Sequence, residues 1–387
     1  MRERHDCDAN TRHEAAPLRV LHVGPGRGQR GGIASVLAEL GAQRAPFLRE
    51  AVALSIFETH GFQSVTSLLC FLLLDIPRFL IAVLKGVDLV HFHVSVRGSF
   101  YRKFVLYLLA RLFGKKTIFH LHAGNFQHFW ANSRSVTRKA VSCFVRGADA
   151  VVAVSSAIAA ELQGYRGAAH GLHVIGNTAH GAEAVAGAAL RENPGAKEGD
   201  ITPYVAFVGR FTEGKGIDEL LRATALLNRR GLSIQLRLAG AGDIDRWTRA
   251  AIDYGVRDQI RFVGWLQGEE KLRFYRDAAM FCMPSHFESF GISTLEAMFI
   301  GRPVIGTQVG GFLDLVEEGV TGYLVRCGDV RTLAKRIRHL MERPDVTRAM
   351  GQAAVSRALS RYSVDAVVGQ YVHCYRIVSE SKGEERI

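Results

Sequence analysis

YVAFVGRFTEGKG, Tyr204 to Gly216, decides the fold. It opens as a short apolar run rich in β-branched and aromatic residues, breaks at a glycine, and passes into a helical pattern, which is how a strand-turn-helix unit is written. The same rhythm continues through IQLRLAG, QIRFVG, AAMFCMP, PVIGT and GYLV. Upstream it runs through LRVLHVG (18–24), AVALSIF (51–57), DLVHFHVS (88–95), KKTIFHLHAG (115–124) and DAVVAVSSA (149–157). Strands alternating with helices predict parallel, doubly wound sheets. Because the rhythm stops and restarts, the expected fold class is α/β with two Rossmann-like domains facing a central cleft, ligands lying at the carboxyl ends of the strands. A chain of 387 residues suits two domains, at roughly 150 residues each.

The break falls in HGAEAVAGAALRENPGAKEGDITP, rich in Ala and Gly with charges and two prolines, and it divides the chain. Residues 1–17 (MRERHDCDANTRHEAAP) are charged, lack an apolar h-region and read as a flexible tail, not a signal peptide. Residues 18–180 form the first domain, 181–203 a linker region and 204–362 the second domain. Residues 363–387 hold a helix expected to pack back toward the first.

Hydrophobic content of 48% with 22% charged residues excludes disorder as a general description. Forty-nine Lys and Arg against 37 Asp and Glu give a charge of +12, which favours an anionic partner: a nucleotide diphosphate, nucleic acid or an acidic membrane surface. No basic run interleaved with aromatics is present, so nucleic acid is not expected. Six scattered cysteines without a C-x-x-C pair make neither a disulfide framework nor a zinc spacing, which points to a reducing, cytoplasmic compartment.

VTSLLCFLLLDIPRFLIAVL (65–84) is long enough to span a bilayer, but Asp75, Pro77 and Arg78 in its middle are expensive in hydrocarbon. A buried or interfacial helix is expected. YRKFVLYLLARLFGKK (101–116) carries Arg102, Lys103, Arg111, Lys115 and Lys116 around an apolar stripe. It is either a helix covering the sheet or, together with 65–84, a helix lying on an anionic membrane.

Two stretches of the second domain carry chemistry. In VGRFTEGKG (208–216), Arg210 and Lys215 flank a turn ahead of a helix, whose amino end offers free N–H groups and partial positive charge to a diphosphate. The alternative is a pair of solvated surface charges. In HFESFGISTLEAMFIGRPVI (286–305), Glu288 lies in a loop at the cleft mouth and Glu296 one to two turns into the following helix. Between them the backbone N–H groups of Phe290, Gly291 and Ile292 are placed to hold an anion. Two carboxylates on either side of a phosphate clamp describe a sugar nucleotide.

Here the chain resembles the retaining GT-B-fold glycosyltransferases marked by a Glu-x7-Glu motif (glycosyltransferase family 4, group 1 type). The match runs through ESFGISTLEAMFIGRPVIGTQVGG, VGRFTEGKG, LRLAGAGD, IRFVGWL, GGIASVL, DLVHFH and FHLHAG. The resemblance implies that Glu288 contacts the donor sugar, that Glu296 holds the ribose, and that Arg210 and Lys215 neutralise the leaving diphosphate. It places His122 in the cleft beside the sugar. Gly31 and Gly32 resemble the loop that lets backbone approach the ligand. Gly209 heads the phosphate loop, and Gly264, within Val263–Leu266, borders the nucleobase. It further implies transfer of a hexose from a UDP- or GDP-sugar to a hydroxyl, with no bound metal and no added cofactor. The acceptor expected by analogy is a glycan or lipid-linked saccharide of polysaccharide assembly, handled at the cytoplasmic face of the inner membrane. VIGNTAH departs from the pattern: Thr178 follows Asn177 where relatives often have glycine.

Rival readings share some of these residues. Gly26, Gly28 and Gly31 in GPGRGQRGG have dinucleotide-fingerprint spacing, but the nearest strand-end acid, Glu58, lies too far along for a ribose partner. Arg27 and Arg30 make that loop an anion site for a phosphate on the acceptor. HFH (91–93) and HLH (120–122) put two histidine pairs each on one face of neighbouring strands, either as a metal site or as core and cleft histidines. No Cys or carboxylate accompanies them, which favours the second. A sugar-nucleotide epimerase and a catalytically silent relative are the other functional classes.

Overall fold

A computed structural model describes residues 16–26, 32–61, 64–167, 170–189 and 203–381. β1 (Leu18–Pro25), β2 (Val52–Thr59), β3 (Leu89–Val94), β4 (Lys116–Leu121), β5 (Ala150–Ala153) and β6 (Leu172–Val174) form one parallel sheet in the order β2-β1-β3-β4-β5-β6. β7 (Tyr204–Val208), β8 (Gln235–Ala239), β9 (Ile260–Gly264), β10 (Ala278–Met283), β11 (Val304–Thr307) and β12 (Gly322–Val325) form a second, ordered β12-β11-β10-β7-β8-β9. Central strands are buried along their length, β3 at every residue, because helices cover both faces of a parallel sheet.

In the second sheet the strand order reverses between β7 and β10. The loops that leave those two strands diverge to opposite faces and open a crevice at their carboxyl ends. Arg210 and Lys215 follow β7, and Glu288 follows β10, so this topology alone gathers them.

Two helices tie the domains together. The first ten residues or so of the stretch read as a linker are a helix, His180–Ala189, whose Ala182 and Ala186 are buried. Small side chains let it seat closely against the helices Ile292–Phe299 and Pro344–Tyr362. Residues 190–202 lie outside the described residues. The last helix, Val364–Glu380, is capped by Ser363, whose hydroxyl accepts from Ala366 N. It buries Val364, Val367, Val368, Tyr371, Val372 and Tyr375, an i, i+3, i+4 stripe, against Val20, Phe47, Val52 and Leu89 of the first domain. Glu183 Oε2 accepts from Val364 N at 2.9 Å, linking the two helices.

The segment Val65–Leu84 is a 20-residue helical stretch, long and apolar enough to cross a membrane by length and composition, and only 22% of its most apolar part is buried. It is therefore not a core helix. Phe71, Asp75, Phe79 and Val83 face inward, while Leu69, Leu72, Leu73, Leu74, Ile81 and Leu84 are exposed. A π turn at Phe71–Asp75 interrupts the helix, and the carboxylate of Asp75, fully buried, accepts from His60 N at 2.7 Å and contacts its Nδ1 at 2.8 Å. The mid-helix carboxylate is thus withdrawn from the outer face, while Arg78 stays exposed. The neighbouring helix Gly98–Leu112 corrects a second expectation: Arg102 and Lys103 are buried, Lys103 completely, with Nζ donating to Ser99 Oγ at 3.3 Å. Its outer face shows Val105, Leu108 and Leu112.

Val372→Ala removes two buried methyl groups from the seat of the last helix and is expected to cost about 1–3 kcal/mol. Urea unfolding measures this, and an unshifted midpoint would mean that the helix does not contribute to the first domain's core.

Candidate active site

The loops around Arg210 and Lys215 are built on glycines where no side chain fits. A Cβ on Gly240 would lie 1.8 Å from Gly209 O, and one on Gly216, at φ +74°, would lie 2.1 Å from Pro284 O. These contacts press the loops after β7, β8 and β10 together. The consequence is a 2.6 Å ion pair between Lys215 Nζ and Glu288 Oε2, both largely withdrawn from solvent. Lys215 is therefore no solvated surface charge. Arg210 is exposed on the same loop.

The Glu288 loop is clamped from below. Gly311 N donates to Glu288 O at 3.1 Å, and Gly310, at φ +50°, leaves its Cβ position only 1.6 Å from that oxygen. Gly291, at φ +102°, then turns the chain into the helix Ile292–Phe299. Among the described residues, none of the backbone amides from Phe290 to Thr294 donates a hydrogen bond. They form the amino end of the helix at the switch point, with Lys215 and Glu288 beside it. Phe290 contributes only this amide: its ring is buried, 5.5 Å from the ring of Tyr362. Ile292 is half-buried.

Glu296, one turn on, does not share the Lys215 pocket. It is held by Lys271 Nζ at 2.6 Å and Tyr275 OH at 2.8 Å, both from the helix Gly268–Arg276. Burial first, then the Glu296 charge and hydrogen bond, hold the Tyr275 phenol far above its ordinary range, so it remains a donor. Lys271 and Tyr275 were not anticipated from the sequence. Their i, i+4 spacing marks one helix face, but nothing local says that the face meets Glu296. Gly264, at φ +77°, ends β9, and its carbonyl accepts from Gly240 N at 2.7 Å.

The first domain meets this site through the loop after β4. A Cβ on Gly124 would lie 3.1 Å from Ser289 N, so the loop that follows His122 packs against the Glu288 loop. Ser156 N donates to Asp314 Oδ2 at 2.7 Å, and the Ser156 hydroxyl bonds the other carboxylate oxygen, fixing the two domains. Gly32 opens the helix Gly32–Ala42, exposed, with open space around its Cβ position. Gly31, Gly28, Arg27 and Arg30 lie outside the described residues. Neither Asn177 nor Thr178 takes a positive φ, so the backbone there accommodates threonine.

The histidines are more extensive than two pairs. β3 runs between β1 and β4, with His22 opposite His91 and His93 opposite His120. His93 Nδ1 lies 2.8 Å from His122 Nε2, His22 Nδ1 lies 2.8 Å from His93 Nε2, and His91 Nε2 lies 3.0 Å from His120 Nδ1. Tyr375 OH joins the sets, 2.9 Å from His22 Nε2 and 3.2 Å from His91 Nδ1. Burial lowers His22 to about 3; burial and then the nearby Lys103 charge lower His122 to about 3. His91, His93 and His120 are held well below their ordinary value, by burial first and neighbouring imidazoles next. Two triads, His22-His91-His93 and His93-His120-His122, have ligand atoms within 4.8 Å of one another. The nitrogens at 2.8–3.0 Å are already directed at one another as hydrogen-bonding partners.

Two six-stranded parallel sheets, each reversing strand order beside a cleft, with cations and carboxylates gathered on the second, define a GT-B-type protein. Family models agree: "Glycosyltransferase Family 4" matches residues 31–179 and "Glycosyl transferases group 1" matches 191–357. The chain belongs to this glycosyltransferase family. Among relatives, the alpha-D-kanosaminyltransferase of Streptomyces kanamyceticus is 31% identical over 193 residues, 49% of this chain and 48% of that one. The chain spans about half the length of the curated relatives it matches. Among solved structures, sucrose-phosphate synthase from Thermosynechococcus elongatus matches with a TM-score of 0.73 at 21% identity, covering 93% of this chain and 98% of that one. Anabaena HepE in complex with UDP and glucose matches at 0.69, also 21% identical, over 93% and 99%.

The buried imidazoles make stability depend on pH. The unfolded chain binds protons near pH 6.5 and the folded one does not, so this stability is fully present above about pH 6.5 and is lost as pH falls toward the folded values. His22 alone accounts for about 1 kcal/mol between pH 7 and 5.5. Melting temperature is expected to drop by several degrees over that interval; a constant value would contradict neutral, buried rings.

Proposed function

We propose that this protein transfers a hexose from a UDP- or GDP-linked donor to a hydroxyl acceptor, with retention of anomeric configuration. The observation that carries the proposal is the Lys215–Glu288 pair set against the unbonded amides of Phe290–Thr294 at the sheet's switch point. It offers one diphosphate-sized anion site with a sugar-binding carboxylate on its edge. The complex of Anabaena HepE with UDP and glucose supports the donor class.

In the proposed reaction the bond between the anomeric carbon and the diphosphate oxygen breaks with its electron pair going to the diphosphate. Lys215, Arg210 and the helix amides stabilise that charge, an effect worth roughly 2.7–4 kcal/mol per well-placed donor. The acceptor oxygen attacks from the face the diphosphate leaves, and its proton passes to a diphosphate oxygen. Double displacement would need a free carboxylate beneath the anomeric carbon, whereas Glu288 is engaged by Lys215. Glu288 orients sugar hydroxyls, and Glu296, fixed by Lys271 and Tyr275, binds the ribose.

The acceptor we propose is lipid-linked. It is supported by the leucine-rich outer face of Val65–Leu84 beside that of Gly98–Leu112, where exposed leucines lie next to the exposed Arg78, Lys85 and Arg111. That combination suits a helix lying in an anionic interface and would hold the protein peripherally on a cytoplasmic membrane face.

Two measurements check these assignments. Glu288→Gln is expected to lower kcat at least tenfold more than it weakens nucleotide binding, and Glu296→Gln to weaken donor binding chiefly; equal losses together with a collapsed melting temperature would instead indicate structural roles. Flotation with phosphatidylglycerol vesicles should recover wild-type protein but much less of Leu73→Glu/Leu84→Glu, and equal recovery would remove the membrane assignment.

A further inference from the structure

The imidazole array has a property that its separate contacts do not. Running from the partly exposed end inward, it reads His122, His93, His22, Tyr375, His91, His120, with five contacts of 2.8–3.2 Å between six groups. Each neutral ring carries one N–H and Tyr375 one O–H, so six hydrogens serve five bonds. If two neighbours both donated into one contact, hydrogens would clash; if neither did, two lone pairs would face each other at hydrogen-bonding distance. Three arrangements avoid both faults; one of these has Tyr375 accept at both contacts and is discarded because its buried O–H would then have no partner among the described residues, which leaves two. In one, every ring is protonated on Nδ1 and every group donates toward His122. In the other, every ring is protonated on Nε2 and every group donates toward His120.

The inner end decides between them. His120 Nε2 is buried and has no hydrogen-bond partner among the described residues. The second arrangement would leave a buried N–H without an acceptor there; the first leaves only a lone pair. Orphaned buried N–H groups are the rarer and costlier of the two. The first arrangement also fixes the outer end: His122 accepts from His93 at Nε2 and carries its own hydrogen on Nδ1, the nitrogen outside the array.

We propose that His93, His22 and Tyr375 are positioning residues that hold His122 in its Nδ1–H form, making it a hydrogen-bond donor toward the bound sugar nucleotide and not a general base. This rests on the proposed donor reaction and on His122 lying beside the sugar, as the family resemblance implies. It also gives the last helix a role beyond packing. Tyr375 stands 353 residues from His22 and bridges it to His91, so docking of Val364–Glu380 completes the array that orients a residue beside the cleft.

The test is a long-range 15N–1H spectrum of the full-length protein with 15N-labelled histidine, recorded between pH 6 and 8 with and without UDP. Five of the fifteen histidines should fail to titrate and show protonated Nδ1 with unprotonated Nε2. Nε2 protonation at His122 would overturn the donor assignment, and mixed tautomers within the set would overturn the array. Stoichiometric metal in protein purified without chelator, with metal-shifted ring nitrogens, would overturn both. Tyr375→Phe leaves space for a water that satisfies either tautomer. It should therefore leave His93 and His122 as tautomer mixtures and lower kcat about tenfold with little change in KM. Retention of a single tautomer and full kcat would exclude a positioning role for Tyr375. Because the tautomers are read without turnover, an inactive protein with the expected spectrum would contradict the proposed reaction and leave the array standing.

Discussion

The ion pair between Lys215 and Glu288 is the contact on which the rest of the site depends. It joins the loops of β7 and β10 at the one place where the second sheet reverses order. A parallel sheet leaves a crevice there whatever its sequence. What this sequence adds is backbone closeness: Gly216 against Pro284, Gly240 against Gly209, Gly310 and Gly311 beneath Glu288. A methyl group at any of these positions would force the loops apart. The glycines are thus the cause of the electrostatics, since a 2.6 Å pair shielded from water is strong only where its supports cannot relax.

The first domain contributes by a different physical route. Its face is organised by neutral, buried groups whose hydrogen bonds must all agree, and the second domain's last helix supplies one of them, Tyr375. The chain crosses between domains through closely packed small residues: Ala182 and Ala186 on the His180–Ala189 helix, and Gly176, whose Cβ position lies 2.9 Å from both the Phe290 and Tyr362 rings. Phe290 therefore packs the start of the Ile292–Phe299 helix against the crossing.

Much of this was legible because it is local. Strand-turn-helix units are written in contiguous residues, and so were Arg210, Lys215, Glu288 and Glu296, which lie at strand ends and a helix start. β6 was less so: three half-exposed residues at a sheet edge have no apolar run to announce them. The helical start of the presumed linker was hidden by alanine and glycine, which read as loop until a partner surface is known. Arg102 and Lys103 look like surface charges in sequence, and only the packing of their helix buries them. Lys271, Tyr275 and Tyr375 are set by which helix faces meet, information that periodicity does not carry. The orientation of Asp75 likewise depends on a π turn and on His60, neither of which hydropathy registers.

The central claim is that a diphosphate is held at the second domain's switch point by Lys215, Arg210 and the Phe290–Thr294 amides. A crystal structure of the complex with a UDP- or GDP-hexose tests it most directly. The account predicts diphosphate oxygens within hydrogen-bonding distance of those amides and of Lys215 Nζ, with the hexose toward Glu288 and the ribose on Glu296. A diphosphate bound instead at the amino end of the Gly32–Ala42 helix, with the Lys215–Glu288 pair untouched, would contradict it.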